Sequence, residues 1–204
     1  MNYTTLATPE TIQKVTEALT ARNVSVRVVN TKAEALEAIK NLIPEGSEVM
    51  SGGSETLNEI GYVEYLKSGN HGWHNVKDAI FAETDPIKQS ELRQKSVHAP
   101  YFLGSVHAIT EDGQVVVASG SGSQIPSYAY TSDNVIWVTG TQKIVPTLAD
   151  AFTRITEYVL PLEDARMKKA MGFGSAISMW WIFEKTIMPN RKFHLIFVNE
   201  ELGY

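Results

Sequence analysis

The 204-residue sequence contains no cysteine. Disulfide bonds, thiolate zinc sites, cysteine nucleophiles and iron–sulfur clusters all need that side chain, so this chain alone can form none of them. Any iron–sulfur cluster that works with the protein must therefore be carried by another chain. The residues do not indicate which cofactor, if any, the protein uses.

Long apolar runs and blocks of one charge are also missing. The most apolar run, residues 177–183, is far shorter than the ~20 residues that a membrane-spanning helix needs. The 18 lysines and arginines are outnumbered by 23 acidic residues, which gives a net charge of −5. Nucleic-acid-binding proteins usually carry a basic face, because phosphate contacts supply most of their affinity. These shortages argue against nucleic-acid and membrane partners.

Signals for export and for metal binding are equally sparse. The amino terminus has no basic region followed by an apolar core, so we expect a cytoplasmic protein. Five histidines are present, but the His71/His74 pair lacks nearby acidic ligands and we expect no metal site. With 43% hydrophobic and 20% charged residues, the composition is that of one globular domain over residues 1–204.

The first part of the chain alternates between helical and strand patterns. A capped helix is predicted from Pro9 to about Arg22, a strand over 24–29, a second helix from Thr31 to Pro44 and a strand over 48–50. Such alternation is typical of parallel strands joined by crossover helices. The sequence predicts an α/β fold of three layers with a mostly parallel, Rossmann-like sheet.

The later segments continue this pattern with one antiparallel feature. A helix is predicted over 86–97 and a single strand over 101–110. The turn Glu111-Asp112-Gly113 then sends residues 114–118 back as the second strand of a hairpin. Further predicted elements are a short helix at 125–130, a buried strand at 135–138, helices at 146–158 and 161–171, and a final strand at 193–198.

A glycine-rich turn at residues 51–56 is the strongest candidate binding site. It lies between a predicted strand and a predicted helix, where backbone N–H groups can approach an anionic ligand. It matches neither a dinucleotide-binding loop nor a Walker loop. A plain turn in which Ser54 caps the helix is the alternative. The candidate ligand-binding residues here are Ser51, Gly52, Gly53, Ser54 and Thr56.

A second small-residue loop and one lysine occupy similar positions after other strands. Because the carboxyl ends of parallel strands share one edge of a sheet, these residues are expected to face the same cleft. A cation just past a buried strand suits a phosphate or carboxylate, although a solvent-facing lysine is an equal alternative. The candidates are Ser119, Gly120, Ser121, Gly122, Gln124 and Lys143.

Three titratable residues are candidates for acid–base or nucleophilic chemistry. Glu55 lies in the first loop and Glu111 in the hairpin turn, where paired acids more often serve only as solvated turn formers. His107 falls within a predicted strand and could act as a base near neutral pH. A core histidine with a backbone partner is the safer interpretation.

Four segments together resemble the LUD (lactate utilisation) domain family: SGGSETLNEIG, VHAITEDGQVVVASGSGSQI, VIWVTGTQKIV and FHLIFVNEELGY. The resemblance implies a fold similar to the sugar-phosphate isomerase and CoA-transferase group, in which the first loop holds a phosphate or acyl carrier. It also implies a role in oxidising L-lactate, beside subunits that carry iron–sulfur clusters. The chain departs from the family in having Gln142 before the lysine and no cysteine-rich insertion near residues 171–178.

Three functional hypotheses follow. The first is a LUD-type subunit that binds a small anionic metabolite at the two loops, with other lactate-utilisation subunits as partners. The second is a freestanding isomerase or acyl-transfer enzyme that acts on a sugar phosphate or CoA ester. The third is a regulatory or scaffold subunit, possible also as a homo-oligomer, for which Trp180 and Trp181 could form either core or interface.

Overall fold

The computed structural model describes residues 2–204 as two stacked β-sheets between helices. The helices are α1 (Pro9–Ala21), α2 (Lys32–Leu42), α3 (Glu55–Glu59), α4 (Tyr62–Lys67), α5 (Val76–Ala82), α6 (Pro86–Lys95), α7 (Leu148–Arg154) and α8 (Leu160–Met171). The strands are β1 (Val24–Val29), β2 (Glu48–Ser51), β3 (His74–Asn75), β4 (Tyr101–Gly104), β5 (Ala108–Thr110), β6 (Val115–Ser119), β7 (Asn134–Gly140), β8 (Ile144–Val145), β9 (Met179–Phe183) and β10 (Lys192–Val198).

The main sheet has six parallel strands in the order β1-β10-β7-β4-β2-β3. Its central strands are buried on both faces, so successive residues alternate between two cores. Ile136 and Val138 pack with α2, α3 and α4 on one face, whereas Val135 and Trp137 pack on the other. The predicted α/β class and the mostly parallel sheet are confirmed.

The hairpin belongs to a second sheet of four strands, in the order β8-β5-β6-β9. This mixed sheet packs with α1 on the second face of the main sheet, and α7 covers its outer side. The second sheet adds a layer to the three that were predicted. It also brings the end of β6, where the second loop begins, beside the main sheet.

The single strand predicted over 101–110 is wrong, because the chain changes sheets at residues 105–107. β4 ends at Gly104, where a side chain would collide with the Tyr128 hydroxyl group. That hydroxyl donates to the carbonyl oxygen of Ser105 at 3.1 Å. β5 then begins in the second sheet, paired with β6 and β8. The crossing leaves Ser105 and His107 outside regular strands.

Two predicted helices, over 146–158 and 161–171, form one continuous helical rod. A π-helical turn at Ile155–Val159 joins α7 to α8. Proline in a helix lacks an N–H donor and crowds the carbonyl one turn earlier, and Pro161 lies two residues after this wider turn, near the start of α8. The predicted short helix at 125–130 is also a π-helical turn, at Ser127–Thr131.

The tryptophan pair lies in β9, a strand that the sequence patterns did not predict. β9 pairs antiparallel with β6 at the edge of the second sheet. Trp181 packs against the shared core, while Trp180 is 41% exposed and contacts the edge of Phe152 at 4.8 Å between ring centroids. Among the helices of residues 2–204, none is long and apolar enough to cross a membrane.

Candidate functional site

A cavity of about 590 Å³ opens at the carboxyl edge of the main sheet. Three parallel strands, β2, β4 and β7, end at this edge. Their trailing segments supply Ser51, Ser105 and Lys143 to the cavity wall. The second sheet supplies the loop after β6, and the α7–α8 rod closes one side. The sequence-predicted residues that line the cavity are Ser51, Gly52, Gly53, Ser54, Glu55, Thr56, His107, Ser119, Gly120, Ser121, Gln124 and Lys143.

The first loop is fixed at both ends and free in the middle. The N–H of Gly52 donates to the carbonyl oxygen of Leu103 at 3.0 Å, which holds the loop against β4. Ser54 caps α3, since its hydroxyl accepts from the N–H of Leu57 at 3.2 Å. Between these anchors, the backbone N–H of Gly53 makes no hydrogen bond to any described residue. The turn is therefore both a helix cap and a source of an open donor.

The second loop lies directly against the first. A Cβ atom on Gly52 would stand 2.9 Å from Oε1 of Gln124, so a side chain at this position would push the end of Gln124 aside. Gly122 has φ +75° and packs against Met179, outside the cavity lining. Its N–H donates to the Ser119 hydroxyl at 2.9 Å and closes the turn. Gly122 thus shapes the loop, whereas its neighbours face the cavity.

Lys143 forms the floor of the cavity. The residue is only 2% exposed. Its Nζ donates to the Thr56 hydroxyl at 3.1 Å and to the Ser105 hydroxyl at 3.3 Å. Within residues 2–204, no carboxylate lies within ion-pair distance of this ammonium group. The floor is therefore a buried cation with neutral partners.

The surroundings of Lys143 weaken its hold on the proton. Burial, the larger cause, and the positive charge of Arg154 together lower the pKa of the amine to about 7. Glu59 acts in the opposite direction, but its carboxylate already accepts the N–H of Gly203 at 2.8 Å. An anion placed beside Nζ would restore the charged form.

His107 lies beside the floor as a neutral ring. Its Nδ1 accepts from the N–H of Ala118 at 3.2 Å, which leaves the ring proton on Nε2. Burial, with the positive charges of Lys143 and Arg154, lowers the pKa of His107 to about 3. A group with that pKa is a poor base near neutral pH, so the geometry favours a hydrogen-bonding role for this ring.

The wall that α8 forms carries a self-contained polar cluster. Arg166 donates to both carboxylate oxygens of Glu163, each at 2.7 Å, and its Nε lies 3.6 Å from Glu55. The Tyr204 hydroxyl donates to Glu163 and accepts from Arg166. Burial opposes ionisation of Glu163, but the hydrogen bonds from Arg166 and Tyr204 prevail and lower its pKa. These charges satisfy one another.

Glu111 lies away from this cavity. Its carboxylate is 2.7 Å from Lys14 of α1, and its N–H donates to the carbonyl oxygen of Val145 at 2.9 Å. The structure therefore does not bring Glu111 together with Glu55 or His107. The hairpin tip is bound to α1 instead, because Arg22 also donates to the carbonyl oxygen of Asp112 at 3.0 Å.

Several lining residues were missed by the sequence patterns. Lys77 on α5 reaches the first loop, where its Nζ lies 3.4 Å from the carbonyl oxygen of Gly52. Burial lowers the pKa of Lys77. Ser105 was missed because it lies within residues 101–110, which the sequence pattern predicted to be a single strand. Glu163 and Arg166 carried a usable signal, because residues three apart on a helix share a face.

Metal ligands are not grouped at this site. In the part of the chain that the structure describes, no three histidine, aspartate or glutamate side chains are close enough together to hold a metal ion. The lining instead offers hydroxyl groups, backbone N–H groups and three lysines, which suit an anionic organic ligand.

Comparisons with known proteins concern the whole chain. A family model described as the LUD domain matches residues 12–198. The chain is similar to the crystal structure of a DUF162 family protein from Deinococcus radiodurans, with 13% identity, a TM-score of 0.58, and coverage of 95% of this chain and 99% of that one. Similarity to eIF2B delta from Chaetomium thermophilum is weaker, with 14% identity, a TM-score of 0.37, and coverage of 70% of this chain and 57% of that one. No curated protein matches the chain. At such identities, the first likeness bears on the fold alone.

Proposed function

The chain belongs to the LUD-domain family, and on that premise we propose that it binds a small anionic metabolite in lactate or related organic-acid utilisation. The metabolite lies between the two glycine-rich loops and Lys143. In such a system the chain acts as one subunit, and because it lacks cysteine, partner chains carry any iron–sulfur clusters.

The observation that carries this proposal is the buried ammonium group of Lys143. A buried cation is costly unless an opposite charge or several hydrogen bonds compensate it. Here two hydroxyl groups are its partners, Thr56 and Ser105, and both line the cavity themselves. A carboxylate or phosphate in the cavity would supply the missing charge.

The loops add donors around the same position. Gly53 offers an N–H without a described partner, and Lys77 brings a second cation to the first loop. Hydrogen bonds from cations and N–H groups to ionised oxygens are shorter and stronger than bonds between neutral groups. The cavity thus has the donor set for an anion without involving the satisfied Glu163–Arg166 cluster.

Thermal denaturation with added ligands tests the proposal. We expect lactate, pyruvate or a phosphorylated metabolite to raise the melting temperature of the full chain, since a ligand that binds only the native state stabilises it. The informative variants are Gly52→Val, whose side chain would press on Gln124, and Gly53→Ala, whose Cβ meets no atom within 4 Å. Ligand stabilisation should fall in the first and persist in the second. Undiminished binding in Gly52→Val would contradict the assigned site.

The size of the cavity supports a second candidate, an isomerase or acyl-transfer enzyme with a larger substrate. A three-carbon acid has six non-hydrogen atoms and, at about 30 Å³ for each, fills at most roughly 180 Å³. The cavity measures about 590 Å³ and includes apolar wall residues such as Ile155 and Ile177. Turnover of a sugar phosphate or CoA ester by the isolated chain would establish this activity. Stabilisation by small acids with no turnover across such a panel would favour the binding subunit.

A further inference from the structure

We propose that Lys143 is a nucleophile that condenses with the carbonyl group of a 2-oxo acid to form an imine in the cavity. This inference rests on the proposed function, because the acid must first bind there. It adds a covalent step that anion binding alone does not require.

The first requirement is an amine that is accessible to a ligand yet shielded from bulk water. Lys143 lines the cavity, and its residue is almost completely buried. Lysines become nucleophilic when an apolar pocket or another cation disfavours the ammonium form. Arg154 supplies the second cation, and it is itself fully buried behind the floor, where it donates to the carbonyl oxygen of His107 at 2.7 Å.

The second requirement is that nothing nearby fixes the proton on nitrogen. A carboxylate at ion-pair distance would do so, but the partners of Nζ in residues 2–204 are the hydroxyls of Thr56 and Ser105. His107, also at the cavity wall, is neutral. Of the carboxylates that line the cavity, Glu55 and Glu163 are directed to Arg166, and Asp78 accepts a hydrogen bond from Asn75.

The third requirement is a separate group for the carboxylate of the acid. Two donors at the first loop can bind that carboxylate: Lys77, which contacts Gly52, and the N–H of Gly53, which has no described partner. Lys143 contacts the same loop at Thr56. Because the carboxylate of a 2-oxo acid is bonded directly to its carbonyl carbon, donors on the loop that Lys143 contacts can hold the acid while the amine attacks.

The reaction balances without a redox partner. The neutral nitrogen attacks the carbonyl carbon, the carbon–oxygen π bond opens, and the oxygen takes a proton that leaves the nitrogen. In the second stage the nitrogen lone pair forms the C=N bond, and the oxygen departs as water with the second nitrogen proton. The products are one imine and one water molecule.

Reductive trapping tests the proposal on the full chain. The protein is incubated with pyruvate and cyanoborohydride at pH 7, and the modified lysine is located by intact mass and peptide mapping. At pH 7 a lysine of ordinary pKa is neutral in roughly one molecule in 2,500, so we expect Lys143 to be labelled at least ~tenfold faster than any surface lysine. The variant Lys143→Met should lose this adduct, and the matched variant Lys14→Met should keep it.

The outcomes separate the imine from the binding site. Lactate has no carbonyl group, so it should compete with pyruvate yet give no adduct of its own. If pyruvate raises the melting temperature but labelling is absent or spread over surface lysines, the imine is wrong and the binding proposal stands. If lactate, pyruvate and phosphorylated metabolites all fail to stabilise the protein and pyruvate does not label Lys143, both proposals fail. Because mapping of the unmodified sequence locates the adduct directly, the result does not depend on how well a variant folds.

Discussion

Two cations line the same cavity in opposite electrostatic states. Arg166 is held by both oxygens of Glu163 at 2.7 Å and lies 3.6 Å from Glu55. Within residues 2–204, the partners of Lys143 are two hydroxyl groups. The pKa values differ accordingly. The pKa of Arg166 is raised, chiefly by the hydrogen bonds that it donates to Glu163, whereas the pKa of Lys143 is lowered to about 7, chiefly by burial.

This difference indicates which of the two cations is available to bind a ligand. A ligand that approaches the Nε and Nη2 edge of Arg166 must displace Glu163, which also accepts from the Tyr204 hydroxyl. A ligand that binds Lys143 displaces no charged partner and removes an electrostatic penalty. Affinity for an anion should therefore come mainly from the floor of the cavity, and the wall should act chiefly as structure.

The largest expected effect comes from removing the cation at the floor. In Lys143→Met we expect affinity for the anionic ligand to fall at least ~tenfold, equivalent to about 1.4 kcal/mol. The ligand-free protein should become more stable, by on the order of 1–3 kcal/mol at pH 6, because an apolar side chain replaces a buried unpaired charge. Titration calorimetry and urea denaturation measure the two quantities. The comparison variant Arg166→Met should lose stability and keep most of the affinity; a reversed pattern would overturn the contrast between the two cations.

The pH should produce the next largest effect. Lys143 has a folded pKa of about 7, below its ordinary value of 10.5. Between those values the unfolded chain binds more protons, so this residue makes the free energy of unfolding rise with pH above 7 and adds no slope below it. Ligand affinity should change in the opposite direction, falling by about tenfold from pH 6 to 8 as the amine loses its charge.

Proton uptake on binding distinguishes the titration of Lys143 from that of other groups. A bound anion should raise the pKa of Lys143, so binding at pH 8 should take up a proton, which calorimetry in buffers of different ionisation enthalpy detects. His107 does not titrate in this window, because its pKa is lowered to about 3. Affinity that is independent of pH between 6 and 8 in the parent protein would contradict the assigned role of Lys143.

A smaller effect is expected from breaking the wall. Glu163→Gln removes the charge that holds Arg166, so the guanidinium group becomes available to a ligand and anion affinity should rise by about two- to threefold. Stability should fall by about 1 kcal/mol or less, since the pair is partly exposed. The pKa of Glu163 is lowered in the folded protein. Its charge therefore stabilises the fold fully at a pH above the ordinary pKa of glutamate, and this stabilisation is lost as the pH falls through the folded pKa. Urea denaturation of both proteins should therefore converge at low pH.

The sequence predicted which segments meet at the floor of the cavity better than it predicted the burial and partners of Lys143. Both glycine-rich loops and Lys143 follow strands, and parallel strands deliver their carboxyl ends to one edge, so their convergence could be anticipated. The burial of Lys143 could not be anticipated, because a solvent-facing lysine and a cavity-lining lysine have the same local sequence pattern. Its partner Ser105 could not be predicted either, because the sequence pattern does not show that the chain changes sheets after Gly104.

The wall was harder to predict because its members are distant in sequence. Glu163 and Arg166 lie on a helix, Tyr204 is 41 positions beyond Glu163, and Glu55 belongs to the first loop. Periodicity assigns residues to helices and strands but contains no information on which elements meet. The second sheet posed the same difficulty, since nothing local marks β9 as the partner of β6.

The smallest effect is expected at the hairpin turn, outside the cavity. Glu111→Gln should change ligand affinity by less than about twofold and stability by about 0.5 kcal/mol or less, because among the described residues its carboxylate pairs with the largely exposed Lys14 alone. Glu55→Gln is the matched change inside the cavity, where the same loss of charge lies 3.6 Å from Arg166. If an activity is found and Glu111→Gln abolishes it while Glu55→Gln does not, catalysis takes place at the hairpin turn and the contrast between floor and wall loses its functional meaning. The opposite result would keep the chemistry within reach of Lys143.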